Sequence, residues 1–291
     1  MRKKNTIDKI FKRKMMKNIF TAFVLTSMFV SCERHDSATE KYQDERNKVV
    51  DVHKEVKAID IGDVLIGSTS RMYVSNDYLI ISDPQGYDKL IHLFDKSDFK
   101  HRVSVGDLRQ GPYELTTPGA VGIDDARHKF YVSDYGKMRI FSYDMDSILL
   151  NPDYKHQVKV QMDNSLFPDV YRFVNDTVSY ARVIKPTSAS TFEQNLAKWN
   201  METGQIQMME YTHPSVKNKR IVFDVSVKNG FYVEGYTRHD LLTICDLEGN
   251  LICNVYGPQW NGGDKSKLSC FGDVMIDADY IFATKAEEKM Q

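Results

Sequence analysis

The chain has 291 residues, 42% of them hydrophobic, which is enough apolar material for a core and excludes an intrinsically disordered protein. The formal charge is −1, but the first 31 residues hold eight of the 39 basic and one of the 40 acidic side chains, so the remainder carries 31 against 39, a net −8. An acidic domain repels phosphate backbones, and nucleic acid is not an expected partner.

The basic amino terminus runs into an apolar segment, Ile19 to Val30, followed by Ser31 and Cys32. Roughly a dozen apolar residues fall short of the ~20 that a spanning helix needs, and they fit the core of a signal peptide. The run Phe29-Val30-Ser31-Cys32 resembles the lipobox of bacterial lipoprotein signals, with Phe29 where leucine is usual. That resemblance implies a signal peptide over residues 1–31 and lipid attachment at Cys32. It also implies a cell-envelope location, with the membrane as a partner through the lipid. Glu33 and Asp36 fit sorting to the outer membrane, and Met15 or Met16 would open a more typical signal. The alternative is an ordinary secretory cleavage site beside an incidental thiol. Residues 32–55 are charged and polar and read as a solvated tether.

From residue 56 onward the sequence repeats. Tyr78–Asp83 followed by Leu90–Asp95 returns as Phe130–Asp134 followed by Met138–Asp144, with 51 residues between Asp83 and Asp134. Looser copies run Val178–Arg182 then Leu196–Asn200, and Phe231–Glu234 then Leu242–Asp246; another begins at Tyr280–Ala283. Each unit divides into short runs rich in Val, Ile, Tyr and Phe, separated by Gly, Asn, Asp or Pro, the pattern of strands joined by tight turns. The first unit predicts strands at 70–75, 78–83, 89–95 and 99–105, and the second at 119–124, 129–134, 137–143 and 155–161. Four strands per fifty residues, with no helices between units, is the arithmetic of β-propeller blades. The fold class is therefore all-β, a β-propeller of four-stranded antiparallel blades. A two-sheet sandwich would not explain a recurring unit.

The segment Gly106-Asp107-Leu108-Arg109-Gln110-Gly111-Pro112-Tyr113-Glu114-Leu115, with Pro118 and Phe130-Tyr131-Val132-Ser133-Asp134, resembles the repeat of NHL-type six-bladed propellers, with Tyr113 where glycine is usual. Together with the lipobox, the chain is similar to the TolB-like six-bladed propeller lipoproteins of Gram-negative anaerobes. Six blades of about fifty residues exceed what residues 56–291 supply. The reading is therefore an incomplete propeller of about 4.5 blades, the product of a truncated or frameshifted gene, with Val56–Ile61 as a closing strand.

No catalytic constellation stands out. The eight histidines make no H-E-x-x-H spacing, and P-loops and G-x-S-x-G elbows are absent, so no catalytic residue, metal ligand or cofactor is assigned. Asp83 and Asp134, each ending a second strand, invite a calcium or catalytic reading, but a short carboxylate there more simply caps the following turn. Trp199 reads as core, whereas Trp260 lies in a loop and is expected to be exposed. Cys245 and Cys253 flank the turn Glu248-Gly249-Asn250, either bridged across a hairpin or as buried thiols.

In an up-and-down blade, the loops joining second to third strands share one end of the domain with the linkers between blades. That end would carry Asp83, Arg109, Gln110, Tyr113, Glu114, Asp134 and Trp260 as a binding surface for a protein, peptide or glycan. The leading function is a cell-envelope binding module. A propeller lyase or hydrolase, and a non-functional truncated product, are the alternatives.

Overall fold

The computed structural model describes residues 37–45, 49–52, 54–151, 153–175, 177–262 and 270–285. The expected signal peptide, Cys32 and the start of the expected tether lie outside them. In chain order the strands are β1 (Glu40–Tyr42), β2 (Arg71–Val74), β3 (Tyr78–Ser82), β4 (Lys89–Asp95), β5 (His101–Asp107), β6 (Pro118–Asp124), β7 (Lys129–Asp134) and β8 (Arg139–Asp144). A six-residue helix α1 (Met145–Leu150) comes next, then β9 (Gln157–Gln161), β10 (Phe167–Phe173), β11 (Val178–Pro186), β12 (Phe192–Asn200), β13 (Ile206–Met208) and β14 (Ile221–Ser226). The described chain ends with β15 (Phe231–Tyr236), β16 (Leu241–Asp246), β17 (Leu251–Tyr256), β18 (Phe271–Asp277) and β19 (Tyr280–Lys285).

These strands form β-propeller blades. The first four sheets are antiparallel meanders of four consecutive strands, β2–β5, β6–β9, β10–β13 and β14–β17, and β18–β19 is a two-stranded hairpin. The first strands of neighbouring sheets approach one another, β2 to β6, β6 to β10 and β14 to β18, so the sheets pack face to face in sequence order.

The period-2 alternation of a strand explains that packing. Phe130 and Val132 of β7 enter the cluster shared with Ile91, Leu93 and Val105 of the first sheet. Between them, Tyr131 enters the cluster shared with Tyr171, Ala181 and Trp199 of the third. Likewise Ala181 and Val183 of β11 face the second sheet, while Tyr180 joins Phe223, Tyr232 and Tyr236 of the fourth. Both faces of an inner blade are thus apolar, which is why these strands read as nearly continuous hydrophobic runs.

Gly122 permits the closest of these approaches. A Cβ on its backbone would collide with the ring of Tyr171, whose hydroxyl donates to the carbonyl of Tyr131 at 3.1 Å.

The predicted strands match the observed ones to within two residues at either end, with β5, β8 and β9 each starting two residues later. Phe99 and Met138 have φ of 57° and 51°. They are turn residues in the left-handed region, so β5 and β8 begin after them. Helix α1 is a departure from the helix-free units. Asp144 caps it by accepting from the Ser147 amide at 2.9 Å, and Met145 and Ile148, three apart on one face, are buried against the first sheet.

Two further expectations are corrected. Val56–Ile61 forms no strand; Val56 and Ile59 are exposed. Instead Glu40–Tyr42, expected in a solvated tether, pairs parallel with β17. It is held there by the stack of Tyr42 on Tyr256, with ring centroids 4.6 Å apart, and by the Glu40 carboxylate, which accepts from Asn254 Nδ2 at 3.1 Å and from the Tyr256 hydroxyl. Of the two readings of Cys245 and Cys253, unbridged thiols is the one observed. A bulge pairs Cys253 with Ile244 and Cys245 with Leu251, so the two cysteines do not face each other, and burial pushes the Cys245 thiol up to about 11.

Candidate functional site

Because strands alternate in direction, the turns after β3, β7, β11 and β15 lie at the same end as the linkers entering β6, β10 and β14. Buried carboxylates hold that end together. Asp134 accepts the amides of Thr117, Gly136 and Lys137 on one oxygen, at 3.0, 2.9 and 3.2 Å, and that of Thr116 on the other at 2.7 Å. It thereby ties the turn after β7 to the linker before β6. Asp83 does the same in the first sheet, accepting from Gln85 at 3.2 Å and from Gly67, upstream of β2, at 2.7 Å. Asp240 accepts from the Gln259 amide at 3.0 Å, fixing the segment that leaves β17. All three are buried. Their oxygens are engaged with backbone donors, which makes them clamps.

Arg109, Gln110, Tyr113 and Glu114 share the linker between the first two sheets. Gly106, at φ 78°, opens it in a conformation that suits glycine, where a Cβ would also press on Leu115 at 2.8 Å. The Lys137 ammonium donates to the carbonyls of Gly111 and Glu114, and the Glu114 carboxylate accepts from the Gly111 amide. Arg109, Gln110 and Tyr113 are exposed, and Lys155 Nζ lies 5.4 Å from the centroid of the Tyr113 ring.

Asp134 lies under this linker, whereas Asp83 holds the segment entering the first sheet and Trp260 follows the last strand of the fourth. The expected exposure of Trp260 is corrected: only 8% of it is accessible. It packs edge-on against His213 and His239 at 5.4 and 6.0 Å and against Tyr256 at 5.0 Å. His213 Nδ1 accepts from the Ser215 amide, so Nε2 is left to donate to the Tyr256 hydroxyl at 2.8 Å. Burial lowers the His213 pKa, against the opposing charge of Glu40.

Between the third sheet and the linker that enters β14, at the same end, lies a cavity of about 240 Å³ that the sequence reading passed over. Its apolar lining includes Val183, Met208 and Val216, and its polar lining Lys217, Lys219 and Arg220. Lys219 is 6% exposed; its ammonium is 2.7 Å from Glu234 Oε1 and 2.9 Å from Asn195 Oδ1, which leaves one of three donors unused. The Arg220 guanidinium lies 4.1 Å from the centroid of the Phe192 ring. It donates to the carbonyls of Phe192 and Lys219 at 2.9 and 2.8 Å.

No carboxylate pairs with Arg220 or Lys217 among the described residues. Burial, and then the charge of Arg238, lowers the Arg220 pKa. The signal was present as Lys217-Asn218-Lys219-Arg220, a basic run in an acidic domain. Among the described residues no group of three or more His, Cys, Asp or Glu side chains is placed to hold a metal ion.

No protein-family model matches the chain, and no curated protein does. Solved structures do resemble it. A member of the DUF4221 family from Bacteroides vulgatus is 14% identical with a TM-score of 0.43, over 62% of this chain and 56% of that one. A protein from Bacteroides fragilis described as exported is 11% identical with a TM-score of 0.46, over 75% and 59%. The β-propeller domain of Cps50 (Swd1) from Myceliophteria thermophila is 7% identical with a TM-score of 0.44, over 76% and 65%. The chain thus spans less than two thirds of the length of each of these three.

Proposed function

We propose that the chain is the propeller domain of a TolB-like cell-envelope lipoprotein, tethered through Cys32, that binds a ligand at the linker end of its sheets. The lipobox-like run before Cys32 supports the anchor. The observation that carries the binding role is Arg220: a half-buried cation, ordered by a ring and two carbonyls and without a counter-ion, lining a cavity between rigid walls. Leaving such a charge uncompensated is costly, and sites that recognise a ligand accept that cost for preorganisation. Arg109, Gln110 and Tyr113 supply exposed polar surface at the same end.

Two measurements test the reading. Labelled palmitate should enter the chain and be lost in Cys32→Ala, with the variant released from the membrane fraction; an unlabelled wild type overturns the anchor. Pull-down from envelope extracts with the full chain should enrich a component that Arg220→Glu fails to retain. Identical profiles for the two baits overturn the site.

A further inference from the structure

Resting on that binding role, we propose that the cavity between the third sheet and the linker entering β14 receives the carboxyl terminus of a peptide, with Arg220 and Lys217 on the carboxylate and an aliphatic last side chain on the exposed Met208 and the apolar lining around it. The charge comes first. Lys185, Lys217, Lys219 and Arg220 line the cavity against Glu193 alone, and Lys185 lies 3.7 Å from Glu193. Lys219 is matched by Glu234 behind it. The two cations left without a partner call for an anion, in a domain whose overall charge is negative.

Geometry then selects the kind of anion. Arg220 uses one donor on each terminal nitrogen for backbone carbonyls, so three of its five N–H groups remain to donate to a carboxylate. The volume is below the ~300 Å³ at which drug-sized pockets begin, so it suits the end of a ligand rather than the whole of one. The apolar lining favours an aliphatic side chain over a sugar, whose hydroxyls would lose hydrogen bonds to water there.

The test uses the full chain and fluorescein-labelled Gly-Ala-Ala-Leu by fluorescence anisotropy. The free acid should bind, and the C-terminally amidated peptide should bind at least about tenfold more weakly, the loss expected for a charge-assisted pair. Arg220→Gln and Lys217→Gln, each confirmed folded by its melting curve, should weaken the free acid similarly. Arg220→Lys should recover only part of the loss, because it keeps the charge and not the guanidinium.

Equal binding of acid and amide, no binding of the acid, or tighter binding of an oligoglucuronate overturns the peptide assignment. The pull-down separates this failure from failure of the binding role: a component retained by wild type and lost in Arg220→Glu, with no response to the free peptide, leaves that role standing and removes the peptide.

Discussion

The Tyr171 hydroxyl reaches across a sheet boundary to the carbonyl of Tyr131, 3.1 Å away, over the bare Cα of Gly122. One side chain of the third blade is thereby fastened to the backbone of the second. Gly122→Ala should force the two sheets apart and cost about 1–3 kcal/mol, the usual range for overpacking. Tyr171→Phe should cost about 1 kcal/mol, because it removes the donor and keeps the ring. Denaturant melts of both variants check this; an alanine at 122 that leaves stability unchanged would show that the interface is looser than described.

Asp134 accepts four backbone amides. Asp134→Ala strands those donors in a buried turn and should cost more than about 2 kcal/mol. Asp134→Asn should recover part of this, since one oxygen still accepts. The cost should appear as faster amide exchange at Thr116 and Thr117. Unchanged exchange there would deny the clamp.

Lys219 and Glu234 form a buried ion pair at 2.7 Å. Removing one partner, as in Glu234→Gln, is expected to cost about 3–5 kcal/mol because the other charge is left uncompensated. Replacing both, as Lys219→Met with Glu234→Leu, should cost less than either single change. A double variant as damaged as the sum of the singles would mean that the two residues act independently.

His156 packs on Phe141 and Tyr143 at 4.5 Å to each ring. Burial, helped by Lys137 and Lys155 and opposed by Asp134, lowers its pKa to about 4. The folded protein therefore binds this proton less readily than the unfolded chain, whose histidine titrates near 6.5. Stability from the neutral ring is complete above ~6.5 and declines as pH falls toward about 4. His156→Leu should flatten that part of the profile, measured as the fall in Tm from pH 7 to 4.5 relative to wild type. Parallel profiles would exclude His156 as a contributor.

Much of this blade architecture is legible in the sequence, because alternating apolar faces and turn residues are local signals. Asp83 and Asp134 were readable as turn caps for the same reason, and the structure adds their hold on the linkers. Features that depend on distant partners were not legible. Nothing local in Glu40–Tyr42 announces a strand, since its hold comes from Asn254 and Tyr256. Trp260 looks like an exposed loop residue until His213 and His239 are seen around it. The cavity escaped notice because its walls come from β11, β12 and a linker, and only the basic run at 217–220 hinted at it.

β1 lies beside β17 and runs in the same direction. The polypeptide therefore comes up to the fourth blade from the end opposite Arg220 and meets the linker end only after Tyr42. Tension passed along the chain from upstream of Ser37 would load this short strand along its length. Its ladder, the Glu40 contacts and the Tyr42 stack would then resist together instead of peeling one by one. Three residues in a parallel pairing would thus give the propeller a mechanical strain relief.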